Sequence, residues 1–177
     1  MTIVVRTRMK RDEIRRLLAS VPAIVAGRAA DPAGEAGAIQ RVIGLTALSL
    51  IKEAFVTKAA GGTDEAGDSW APLAESTVQG RRKGKGVGNP QILRDTGILL
   101  NSLSPGGIGN IIEWRPGVVE IGTNIPYARY HHEGTDKIPA RPLWPEPYRW
   151  PSEWWNNIAE ETREAVARLI ARMLGGA

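Results

Sequence analysis

Five prolines stand in the stretch 138–151, at positions 139, 142, 145, 147 and 151. Each fixes φ near −65° and removes a backbone donor, so neither a helix nor a central strand can run through this segment. The spacing predicts an extended arm or a cover, and it pushes regular structure into the chain on either side. After it, Trp155, Ile158, Thr162, Ala165, Val166, Leu169, Ile170 and Met173 recur at helical spacing, predicting an amphipathic helix that ends at Gly175. Ser152 is its expected N-cap. Glu160, Glu161 and Glu164 lie early in this helix and Arg168 and Arg172 late, the order a helix dipole favours.

A second, longer helix is predicted over 38–59. Ile39, Val42, Ile43, Thr46, Leu50, Ile51, Ala54 and Phe55 share one face, and Leu45 and Leu48 add apolar surface outside it. Such a helix is buried on more than one side. Before it come a short strand around Ile3–Val5, a helix from Asp12 to Ser20 limited by Pro22, and an Ala/Gly/Asp/Pro linker over 30–37. Beyond it, a short helix over 93–103 precedes two alternating runs, 111–114 and 118–122, around Arg115-Pro116-Gly117, which predict a bulged β-hairpin. A brief helix over 126–132 ends at Gly134. The fold expectation is therefore α+β: a small antiparallel sheet with a hairpin, packed against the long helix and the C-terminal helix, in one domain spanning 1–177.

Between them, residues 61–91 hold seven glycines and little periodicity, and read as a long mobile loop tacked down by Trp70, Pro72 and Leu73. Compact domains keep loops this long mainly where something binds. Gly80-Arg81-Arg82-Lys83-Gly84-Lys85-Gly86 is one residue short of a phosphate-binding loop, has no Ser or Thr after its lysine, and follows no strand. The cations Arg81, Arg82, Lys83 and Lys85 remain candidates for contact with DNA phosphates or an acidic partner.

With 42% hydrophobic residues and a net charge of +4 over 177 residues, the chain has enough apolar side chains for a core, which excludes a wholly disordered class. The absence of cysteine removes disulfides, thiolate metal sites and a cysteine nucleophile together. The longest uncharged apolar run, 42–51, is about half of what a membrane-spanning helix needs. His131, His132 and Glu133 are adjacent on a short helix and diverge by about 100° per residue, a poor arrangement for one metal ion; a structural histidine bonded to a backbone carbonyl near Gly134 is expected instead. Ser102 or Ser104 with His131 and Asp95 can be assembled into a serine-type set, but a chain this long offers such a set by chance and no nucleophile elbow supports it. Trp144, Trp150, Trp154 and Trp155 flank the proline segment, away from the basic loop, and are expected to pack in a core or a subunit interface.

Three separated blocks occur in order: Trp70-Ala71-Pro72-Leu73 with Ser76-Thr77; Ile92-Leu93-Arg94-Asp95-Thr96-Gly97 with Leu100 and Ser102; and Val119-Glu120-Ile121-Gly122-Thr123 leading through Pro126-Tyr127-Ala128-Arg129-Tyr130-His131 to Gly134-Thr135 and Ile138-Pro139-Ala140-Arg141-Pro142. Together, over roughly residues 68–174, they resemble the virion morphogenesis, or tail-completion, family of tailed bacteriophages and prophages. Thr96, Gly97, Tyr127, His131, Gly134, Pro139, Ala140, Arg141 and Pro142 match the family motif as positions of structural or assembly importance. The chain departs from the family where Leu143 and Trp144 stand in place of a phenylalanine.

The resemblance implies a non-enzymatic structural protein of the virion neck with no cofactor. It also implies a homo-oligomeric ring, a hexamer or dodecamer, that joins the head connector to tail-terminator or tail-tube proteins, without a membrane. Such a protein resides in the host cytoplasm during assembly and afterwards in the neck or tail, and could touch packaged DNA in the channel. A closed ring needs one side of each protomer to complement the other, and the tryptophans of the proline segment are candidates for that interface. The alternative is a non-specific nucleic-acid binder that uses the basic loop.

Overall fold

The computed structural model describes residues 5–9, 35–83, 91–115 and 118–175. The expected helix over 12–20, the Pro116-Gly117 turn and Lys85 lie outside them. In chain order the elements are β1 (Val5–Met9), α1 (Glu35–Ala59), α2 (Glu75–Arg82), α3 (Ile98–Asn101), β2 (Asn110–Arg115), β3 (Val118–Thr123), α4 (Ala128–Glu133) and α5 (Ser152–Gly175), with a 3-10 turn at Pro147–Arg149. The fold is α+β, as the sequence predicts.

The sheet is antiparallel with strand order β1-β3-β2. In the hairpin, Ile112 faces Ile121 and Trp114 faces Val119; on the other side of β3, Thr7 faces Ile121. The central strand β3 carries an almost unbroken run of buried residues, which suits a strand paired on both edges and covered by a helix. Strand β1 starts at Val5, where the expected strand over 3–5 ends, and runs on to Met9.

Helix α1 lies across the sheet and against α5. Ile39, Ile43, Ala47, Leu48, Ile51, Ala54, Phe55 and Ala59 are buried along it, whereas Leu45 is 41% exposed, so its apolar surface is wide and one flank stays open. Gly44 permits the close approach: a Cβ there would stand 3.1 Å from Val119 Cγ1 and 3.5 Å from Ile112 Cγ2. Trp154, Ile158, Thr162 and Val166 form the buried stripe of α5. Thr162 donates its hydroxyl to the Ile158 carbonyl at 2.6 Å, which lets a polar side chain sit in that stripe. The expected N-cap shifts by one residue. Pro151 supplies the carbonyl that accepts from Trp154 and Trp155, while the Ser152 hydroxyl turns to the Glu153 carboxylate.

Within the expected loop over 61–91, the described residues carry regular structure: Thr63 pairs with Ser69 around a tight turn and residues 75–82 form α2, while residues 84–90 lie outside those described. The Asp64 carboxylate builds that turn by accepting from the backbone N–H groups of Ala66 (3.0 Å) and Asp68 (2.9 Å). Of the two forms expected for the proline segment, an extended arm or a cover, it takes the cover: Arg141, Leu143, Trp144, Pro145, Pro147 and Trp150 are all buried along it.

The tryptophans of this cover close the core of their own chain. Of the two roles expected for them, core or subunit interface, the structure shows core packing: Trp144, Trp150 and Trp154 are at most 5% exposed and Trp155 is partly buried. The Trp150 ring stands 5.5 Å from Trp154 and 5.2 Å from Trp155, and its indole N–H donates to the Pro145 carbonyl at 2.9 Å. Aromatic pairs at this separation add about 0.5–1.5 kcal/mol each to the area they bury. Phenylalanine could not replace Trp150 or Trp154 fully, because it has no N–H to donate to the Pro145 carbonyl or the Glu65 carboxylate.

Candidate functional site

The cover is fastened to the first half of the chain at residues 141 and 142. The Pro142 carbonyl accepts from the Trp70 indole at 2.8 Å and from the Lys58 ammonium at 3.2 Å. Arg141 donates through Nε to the Ala71 carbonyl (2.9 Å) and through Nη2 to the Pro72 carbonyl (2.8 Å). Its own backbone N–H donates to the His131 carbonyl at 2.7 Å, which ties the cover to α4. Beneath these bonds Lys58 pairs with Asp64, and the ammonium also sits 5.2 Å from the centre of the Trp70 ring.

These ties shape an open groove of about 560 Å³. One wall is Pro72, Leu73, Ala74, Thr77 and Arg81, leading into and along α2. The floor is Leu93, Asp95, Thr96, Ile98 and Leu99. The far wall is Tyr127 and His131 of α4 with Lys137, Ile138, Pro139 and Arg141. The three separated sequence blocks therefore meet at one place. Of the motif positions, Thr96, Tyr127, His131, Pro139 and Arg141 line the groove, while Gly97 and Gly134 shape its backbone. Pro142 acts from behind, through its carbonyl. Ala140 backs the turn at Gly134 and is not among the lining residues.

The far wall is held rigid by local chemistry. Gly134 adopts φ 78° and ψ 176°, a region open almost solely to glycine. A Cβ on it would lie 2.7 Å from the Ala140 nitrogen and 3.0 Å from the Ile138 oxygen. The Thr135 hydroxyl accepts from the N–H groups of Lys137 (3.2 Å) and Ile138 (3.1 Å), and Thr135 N–H donates to the Ile138 carbonyl at 2.8 Å. On the floor, Gly97 at φ 76° precedes α3, and Leu93 is a non-glycine residue at φ 55°. Nothing in the sequence marks a leucine for that conformation.

Electrostatically the groove leans positive. Arg141 is only 5% exposed, and no carboxylate pairs with it among the described residues. Burial lowers the pKa of its guanidinium. Asp95 is the lining carboxylate, and it faces Arg81 at 3.8 Å. The Arg81 guanidinium also donates to the Gln91 carbonyl at 2.9 Å. Burial holds the His131 imidazole below its ordinary pKa, and the nearby Arg141 charge adds to that. His131 Nδ1 is buried without a hydrogen-bond partner, and its ring meets Tyr127 edge-on at 6.0 Å. Burial raises the Tyr127 phenol, against the hydrogen bond from Thr96 that lowers it.

The structure disperses the remaining candidates. His132 does not donate to a carbonyl as expected; its Nδ1 accepts from the Leu143 N–H at 3.1 Å, with the Trp144 ring at 5.6 Å. Glu133 pairs with Arg129 at 2.7 Å. No cluster of three metal-ligating side chains occurs among the described residues. Ser102 donates to the Leu99 carbonyl and accepts from Thr123, Ser104 accepts from Lys52, and Asp95 faces Arg81, so the serine-type set is not connected. Arg82 and Lys83 are exposed at the end of α2, whereas half-buried Arg81 belongs to the groove wall. Among the described residues no helix is long and apolar enough to cross a membrane.

Sequence reasoning found the motif positions but not Lys58, Asp64 or Lys137. A lysine late in an amphipathic helix reads as a solvated end, and only the tertiary position of Asp64 reveals the pair. Among known proteins, the sequence model of the phage virion morphogenesis family matches residues 23–175, further toward the N-terminus than the motifs reach. Neither the curated proteins nor the solved structures give a match.

Proposed function

This chain belongs to the phage virion morphogenesis family, and from that premise we propose that it is a non-enzymatic structural protein of the virion neck. In this reading it completes the tail and joins it to the head connector as one protomer of a ring. The observation that carries the proposal is the convergence of three distant motif blocks on one open, apolar-walled groove. An apolar groove is suited to receiving a segment of another protein. Exposed apolar and aromatic groups continue its rim: Ile98 is 44% exposed, Tyr127 40% and, next to them on α4, Tyr130 49%. Ring closure uses heterologous contacts, in which a concave surface of one protomer faces a different surface of the next.

The test is genetic and visual. A phage lacking the gene should accumulate full heads and separate tails, and adding purified protein to that lysate should restore joined particles. Electron microscopy of the restored necks should show a closed ring containing the protein. Normal numbers of joined particles without the gene would overturn the proposal.

A further inference from the structure

Arg141 combines two properties that rarely coexist. It is nearly buried, and its charge has no carboxylate partner among the described residues. Its two described hydrogen bonds go to neutral carbonyls, those of Ala71 and Pro72, leaving other donors of the guanidinium fork unused. A desolvated cation of this kind is costly unless an anion compensates it. Beside it in the groove, His131 Nδ1 is also buried and unpartnered. The surrounding walls are apolar, from Leu73, Ile98 and Ile138.

We infer that the groove receives an extended segment of another virion protein, with an Asp or Glu side chain seated on Arg141 and apolar neighbours on Leu73, Ile98 and Ile138. This rests on the assembly reading above and names the chemistry of the partner. Charge complementarity fixes the sign of the ligand, and the planar guanidinium suits a two-oxygen carboxylate. The apolar walls select a peptide over a nucleic-acid backbone, which is bound through rows of exposed cations.

The test uses the full-length protein and fluorescent pools of capped hexapeptides, random except for Glu, Asp, Gln or Lys fixed at a central position, read by polarisation. The Glu and Asp pools should bind at least tenfold more tightly than the Gln and Lys pools. R141K should weaken the Glu pool about tenfold while retaining the fold by circular dichroism. I98E, at an exposed position on the groove floor, should do the same through like-charge repulsion without touching Arg141. A labelled 20-nucleotide DNA serves as the competing anion. Equal binding of all pools, no binding of any pool, or displacement of the Glu pool by DNA would overturn the inference. A negative result with neck joining intact rejects this inference alone; joined particles without the gene reject the assembly reading itself.

Discussion

The Lys58 ammonium lies 3.0 Å from the Asp64 carboxylate, and both side chains are fully buried. This pair stands where α1 ends, the turn over 63–69 folds back and the Pro142 carbonyl closes over both. Removing one partner of such a pair leaves an uncompensated buried charge, at a cost of about 3–5 kcal/mol. Lys58→Met should therefore lose about that much stability in urea unfolding. Adding Asp64→Asn should recover part of it, because the amide oxygen still accepts from the Ala66 and Asp68 N–H groups. A single variant as stable as the parent would refute the role assigned to the pair.

Acid should weaken the fold through its two histidines. Burial lowers both His131 and His132 from the ordinary value, opposed at His132 by Glu133 and reinforced by Lys58. The folded chain thus binds fewer protons than the unfolded one once the pH falls below about 6.5. Stability should be flat above that point and decline as the pH drops through it toward the folded values. His132→Asn places an amide oxygen where Nδ1 accepts from Leu143 and cannot be protonated, so the decline between pH 7 and 5 should become shallower. An unchanged slope in thermal melts across that range would exclude His132 as a contributor.

Two motif glycines should respond differently to the same substitution. Gly97 has a positive φ but open space around a Cβ, so Gly97→Ala should cost about 1–2 kcal/mol, the strain of the left-handed conformation alone. Gly134→Ala meets backbone atoms of Ala140 and Ile138 as well as a glycine-only conformation, which by itself costs about 1–3 kcal/mol. It should be the more destabilised variant in denaturant titrations and should also displace the far wall of the groove. The reverse order would contradict the geometry.

Trp144 separates core from interface. Truncation of a buried tryptophan to alanine costs about 3–5 kcal/mol, so Trp144→Ala should melt far below the parent even as an isolated chain. Tyr148, 81% exposed and four residues further along the chain, should be replaceable by alanine within about 0.5 kcal/mol. If Trp144→Ala changed only the oligomeric state, the tryptophan would belong to a subunit contact after all.

The long helices and the hairpin were legible because periodicity is a local property: α1, α5 and the β2–β3 pair emerge from spacing alone. Helix α2 escaped because Glu75–Arg82 buries no side chain and contains Gly80, so it presents no apolar stripe. The groove was visible only as nine motif positions scattered between 96 and 142. Their meeting depends on bonds such as Arg141 to Ala71, 70 residues apart in the chain. The tryptophans were recognised as packing residues, but the choice between self and neighbour depends on how the proline segment folds back, which five fixed φ angles do not specify.

The Pro142 carbonyl has one further implication, in time. It receives Lys58 across 84 residues and Trp70 across 72, so the two walls of the groove share no structure until most of the chain has been synthesised. Contacts of such sequence separation form late and carry a large loop-closure cost. A nascent or truncated chain ending before residue 142 lacks the clasp and presents no groove. The groove is thereby withheld from any chain shorter than its clasp.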